Sequence, residues 1–151
     1  MKYTEFHQII QRKNRVMTNL DITIRVANDG YYSASCNDCP ALFGGGKTPD
    51  AAIEELKETL RLVKEDGRET ALFYPDWLDD DYTFQVHWDV ETMLRHYSGI
   101  ITPTALGKMS GIHPKQLWSY MHGKSKPRQA QVVKIEKAIH QLGQQLLSIS
   151  F

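Results

Sequence analysis

The 151-residue sequence has no apolar run approaching the roughly 18 residues that a membrane-spanning helix requires. Its opening stretch, MKYTEFHQIIQRKNR, breaks every apolar run with a polar residue, which argues against a secretory signal. Cysteine is scarce: Cys36 and Cys39 are the two in the chain. With no leader, two reduced, partly buried thiols and a cytoplasmic location are expected. Internal repeats and low-complexity segments are also missing. So is an excess of charge of either sign, since 18 Lys+Arg balance 18 Asp+Glu.

That balance hides an asymmetry. Residues 1–90 hold 10 basic and 16 acidic side chains, a net −6, whereas residues 91–151 hold 8 and 2, a net +6. An acidic part joined to a basic part implies two modules with partners of opposite charge.

The hydrophobic pattern divides at the same place. Positions 1–20 are basic, with Tyr3, Phe6, Ile9 and Ile10 at helical spacing, and read as a short helix or arm. Ile22, Ile24 and Val26 then alternate with polar residues as in a strand with one buried face. Asn28-Asp29-Gly30 supplies a hairpin turn, and Tyr32, Ala34 and Cys36 alternate on the return strand. A short strand is expected at Leu42–Phe43. From Thr48 the period becomes helical, with Ile53, Leu56, Leu60 and Val63 on one face and Gly67 as the expected stop. YTFQVHWD is a further strand, with Tyr82, Phe84, Val86 and Trp88 on one side. After Asp89 everything reads as helix, in four segments punctuated by Gly99, Gly111, Gly123, Pro103, Pro114 and Pro127.

Within this helical part, TPTALGKMSGIHPKQLWSYMHGKSKP (Thr102 to Pro127) resembles the helix-turn-helix of the phage-repressor-like (Xre/Cro) DNA-binding family. Leu106 and Met109 are expected on the inner face of the first helix, Gly111 in the turn, and Ile112 between the helices. Leu117, Tyr120 and Met121 would bury the second helix. The resemblance implies that this second helix enters the DNA major groove, with Pro114, Lys115, Gln116 and Ser119 at base-contacting positions. It also implies phosphate or loop contacts from Thr102, His122, Lys124, Ser125 and Lys126. Lys can donate to guanine and Gln can pair both ways with adenine. Two residues depart from the pattern: Pro103 stands where the family often has Gln, and Gly107 replaces a usual Ala, at about 1 kcal/mol in helix propensity.

The last helix places Val132, Ile135, Ile139, Leu142, Leu146 and Ile149 in a heptad seam. Its first half is expected to cover the module's own core. The part beyond Gly143 is expected to help form a homo-dimer or higher homo-oligomer.

In the acidic part, Gly30-Tyr31, Pro40, Gly46-Lys47-Thr48, Ala51-Ala52 and Glu58 resemble the pattern of the HicB antitoxin domain. With the helix-turn-helix behind it, the chain looks most like the longer HicB-type proteins of Bacteroidetes-like bacteria. The resemblance implies an α+β fold: a small HicB-like (degenerate ribonuclease H-like) sheet-and-helix domain, followed by an all-α helix-turn-helix domain. The divisions expected are 1–20, 21–89 and 90–151. It implies an antitoxin that occludes a small basic ribonuclease of the HicA type and represses transcription on double-stranded operator DNA, without catalytic activity, cofactor or metal. The alternative is a DNA-binding regulator whose α+β domain binds a small ligand or only oligomerises.

Three other motifs carry competing chemistry. GGGKT ends like a phosphate-binding loop, but the first glycine of that motif would be Ala41, no apolar strand feeds it, and Pro49 removes a donor. Cys36-Asn-Asp-Cys39 has redox or zinc spacing, yet it precedes Pro40 and lacks partner ligands. Asp76, Asp79, Asp80 and Asp81 could hold a metal for nuclease chemistry, but consecutive aspartates point apart, as in a solvated loop.

Overall fold

A computed structural model of the chain describes residues 17–70 and 81–151, by backbone alone over 67–70. The expected N-terminal helix or arm therefore lies outside the described residues up to position 16, as do Asp76, Asp79 and Asp80. The elements are β1 (Met17–Val26), β2 (Tyr32–Cys36), β3 (Phe43–Gly46), α1 (Pro49–Thr70), β4 (Asp81–Trp88), α2 (Val90–His96), α3 (Pro103–Ser110), α4 (Pro114–Met121) and α5 (Gln129–Leu147). The chain is thus α+β. It divides into two compact units, one ending at His87 and the other running from Trp88 to Phe151.

In the first unit a four-stranded sheet has the order β3-β2-β1-β4. β1 begins at Met17, so the last four residues of the basic segment are strand. Antiparallel pairing sets Ile22 opposite Cys36, Ile24 opposite Ala34 and Val26 opposite Tyr32. Gly30 turns the chain at φ 83°, where a side chain would be strained. Asp29 accepts a bond from the Tyr31 N–H at 3.0 Å, which secures the turn. Because side chains alternate, Leu20, Ile22 and Ile24 fall on one buried face of β1, with Ala34 and Cys36 beside them on β2. Ala52, Leu56 and Leu60 of α1 complete this core, with Ile53, Val63, Tyr82 and Phe84 packed at its margin. Val26 is only half-buried and Val86 is exposed, the latter on an edge strand.

The glycines that the sequence places after a short strand are themselves the strand. A Cβ on Gly44 would stand 2.2 Å from the Ala52 carbonyl oxygen and 2.4 Å from the Leu56 nitrogen. One on Gly46 would meet the Ala51 Cβ at 2.6 Å. The backbone of α1 thus rests directly on β3, which only glycine permits. Thr48 starts the helix by accepting from the Ala51 N–H at 3.1 Å, with Pro49 at its first position. α1 runs through Gly67 to Thr70 instead of stopping there. A glycine inside a helix costs only about 1 kcal/mol, too little to end a long one.

The second unit is helical. Leu94, Leu106, Ile112, Leu117, Tyr120, Ile135 and Ala138 form its core. Asp89 caps α2 by accepting from the Thr92 N–H at 2.7 Å. Met109, expected on the inner face, is 37% exposed; Leu106 and Ile112 fill that space. The seam of α5 divides as its spacing suggests: Ile135 is buried and Ile139 packs on the core, whereas Leu146 and Ile149 are exposed.

Gly44→Ala should destabilise the chain by about 3 kcal/mol or more, read as a lower urea midpoint, because neither opposing atom belongs to a movable side chain. Cys36 and Cys39 lie in the core at 3% and 2% exposure, and burial pushes the Cys36 thiol up from its ordinary pKa. An alkylating reagent at neutral pH should therefore label neither cysteine in the folded chain and both in urea, read by mass spectrometry.

Candidate nucleic-acid interface

The site is built on α3, α4 and the loop after α4. Thr102 caps α3: its hydroxyl accepts from the Ala105 N–H at 3.1 Å and keeps its own hydrogen to donate. Gly111 ends the helix in the left-handed region at φ 71°, returning its N–H to the Gly107 carbonyl. Three residues later α4 begins, with His113 as its cap; His113 Nδ1 accepts from the Lys115 N–H at 3.2 Å.

Gly107, a departure from the family pattern on propensity grounds, has a steric reason. A Cβ there would lie 2.8 Å from the Ile112 carbonyl oxygen and 3.1 Å from Pro114 Cγ. Pro114 thus packs against α3 and is half-buried in the angle between the helices.

α4 turns roughly 100° per residue, so positions i, i+3, i+4 and i+7 share a face. Lys115, Trp118, Ser119 and His122 occupy that face, opposite the buried Leu117 and Tyr120. Gln116 is set apart from them: its amide nitrogen donates to the Tyr120 hydroxyl at 2.6 Å. One amide hydrogen and the amide oxygen remain for a further partner.

The end of α4 fixes the loop. The Lys124 N–H bonds the Ser119 carbonyl at 2.9 Å and the Gly123 N–H bonds the Tyr120 carbonyl at 3.1 Å. With Gly123 at φ 65°, this is a Schellman termination. Ser125 Oγ lies 2.9 Å from Ser119 Oγ, which ties the loop to the helix a second time. Lys126 is exposed two residues beyond Lys124. The structure therefore groups Lys115, Ser119, His122, Lys124 and Ser125, with Lys126 following. Thr102 stands apart at the start of α3.

Trp118 was not among the sequence candidates. It is 41% exposed, its ring stacks on His122 with centres 4.0 Å apart, and the Lys124 ammonium lies 4.4 Å from its centre. The signal available in the sequence was its spacing, since it lies on the Lys115–His122 face and outside the buried stripe. His122 Nδ1 also sits 2.8 Å from the Trp118 carbonyl. A carbonyl only accepts, so Nδ1 carries the hydrogen and Nε2 is the nitrogen left over.

The competing motifs resolve on geometry. Gly44 and Gly46 are taken up by contact with α1, and the Gly45 N–H already donates to the Glu55 carboxylate. A phosphate would meet a carboxylate there instead of a free donor. Among the described residues no group of three or more His, Cys, Asp or Glu could hold a metal ion. No described helix is long and apolar enough to cross a membrane. Comparisons with protein-family models, with curated proteins and with solved structures found no match.

Gly107→Ala should destabilise the helical unit by about 1–3 kcal/mol, because the clash with the Ile112 carbonyl outweighs the gain in helix propensity. Gly143→Ala, in α5 with nothing within 4 Å of the added Cβ, should instead stabilise by up to about 1 kcal/mol. Paired urea denaturation curves check both signs.

Proposed function

We propose that the chain is a sequence-specific DNA-binding repressor whose acidic part is an antitoxin, occluding a small basic ribonuclease of the HicA type. The observation that carries the DNA reading is the exposed face of α4 and its loop. Lys115 and Ser119 on a short helix, His122 at its end, and Lys124 and Ser125 in the loop after it are gathered together, in a part of the chain that is net +6. In this reading α4 enters the major groove, Lys115 reads a base edge, Lys124 meets a phosphate, and His122 meets one as the imidazolium, in which Nε2 also carries a hydrogen. Thr102 adds a hydroxyl donor at the start of α3. Leu146, Leu147, Ile149 and Phe151, all exposed, serve to pair two copies, setting two such helices about 34 Å apart on the DNA.

The antitoxin half rests on the HicB-like residues, on the net −6 of residues 1–90, and on a sheet-and-helix unit of the α+β class. Negative charge speeds encounter with a basic ribonuclease and suits a surface that masks an RNA-binding face.

Selection from a random duplex library should yield a preferred site for the full chain, and anisotropy titrations at several salt concentrations then separate the roles. Lys115→Ala should lose about 1–3 kcal/mol of discrimination at one base position. Lys124→Ala should weaken binding to all duplexes and reduce the salt slope by about 1. A library that yields no bound duplex overturns the DNA reading. A small basic ribonuclease recovered with the chain from its native cells supports the antitoxin half. DNA binding without such a partner favours the alternative in which the first unit binds a small ligand or only oligomerises.

A further inference from the structure

Outside the buried stripe of α4, the largest side chain is an aromatic one, and its two neighbours are both candidate phosphate contacts. Lysine and histidine side chains on a surface ordinarily sample several rotamers, and ordering them on binding costs free energy. Here one ring engages both. The Lys124 ammonium lies 4.4 Å from the Trp118 ring centre, within cation–π range, and the His122 ring stacks on it at 4.0 Å and 29°. The backbone beneath is held as well, since the Schellman bonds fix Gly123 and Lys124 and His122 Nδ1 bonds the Trp118 carbonyl. An isolated surface tryptophan would be unremarked, but this one sits on the face that Lys115 and Ser119 share.

We infer that Trp118 is a positioning residue, whose ring holds Lys124 and His122 in the conformation in which they meet the phosphates of one DNA strand. This inference rests on the DNA reading above and deepens it. Trp118 acts through its two neighbours; it reads no base itself. Its effect falls on affinity for all duplexes, with base preference unchanged.

The test uses the full chain, with the selected duplex and a mixed-sequence duplex as probes. Trp118→Leu should weaken both complexes about fivefold, and Trp118→Phe, which keeps a ring for stacking and for the cation, should recover most of that loss. In a double-mutant cycle, Lys124→Ala should cost at least about threefold less in the Trp118→Leu background than in the wild type. A second measurement needs no variant and no DNA: in the NMR spectrum of the free chain, the Lys124 side-chain methylenes should be shifted upfield by the indole ring current. If the wild type binds neither duplex, the DNA reading fails and this inference fails with it. If the wild type binds, three results overturn the role of Trp118 alone: unchanged affinity in Trp118→Leu, losses that simply multiply, or Lys124 methylenes at ordinary shifts.

Discussion

Both units of this chain depend on backbones that approach closer than a side chain allows. In the first, α1 lies on β3 so closely that the Ala52 carbonyl and the Leu56 nitrogen occupy the space of a Cβ on Gly44. In the second, α3 and the start of α4 meet where Gly107 leaves room for the Ile112 carbonyl and the Pro114 ring. Everything else is arranged around these contacts. Once α1 is seated on β3, Leu56 and Leu60 reach Ile22, Ala34 and Cys36 in one core. Seating α1 there also blunts an open sheet edge: Glu55 takes the Gly45 N–H, and Thr59 donates to the Phe43 carbonyl at 3.0 Å. An edge strand whose polar groups are engaged no longer offers a template for another strand.

The basic face is organised by its helix ending as much as by its helix. A Schellman motif satisfies the last carbonyls of α4 and, in doing so, sets the direction in which Lys124 leaves the helix. The Ser119–Ser125 contact and the Trp118 ring then restrict the loop and the side chains. The nearby acidic side chain is also held: Glu91 pairs with Arg95 at 3.4 Å, and its carboxylate lies against Gly123, 3.0 Å from where a Cβ would stand.

Part of the acidic charge on the first unit is paired locally. Along α1, Arg61 forks between Glu58 and Glu65, both at 2.6 Å, and Lys57 pairs with Glu54 at 2.6 Å. The Arg61 guanidinium holds the Glu58 carboxyl below its usual pKa. Such exposed pairs add little stability. Their consequence is that the acidic field of this helix comes from the carboxylates left over, not from every acid in the sequence.

What the sequence determined by itself was whatever depends on neighbours along the chain. Alternation at Ile22–Ile24 and Ala34–Cys36, the 3.6-residue period of Leu56 and Leu60, and the caps at Thr48, Asp89 and Thr102 are local signals, and each falls within or at the start of the element it marks. The turn at Gly111 was legible for the same reason, whereas the candidate contact residues after it followed from the helix-turn-helix resemblance. Tertiary structure decided what depends on atoms distant in sequence or on the sum of competing terms. Three glycines look like a loop until the helix that follows them is laid back across them. Gly67 looks like a stop until a long helix absorbs its small cost. Gly107 looks like a defect until the Ile112 carbonyl is set beside it. The indole of Trp118 carries no motif; its stack on His122 is an i,i+4 contact along the helix, whereas its contact with Lys124 is made after Gly123 turns the chain back at the end of α4. Patterns of period and capping act within a few residues, whereas steric fit acts between surfaces, and only the folded chain brings those surfaces together.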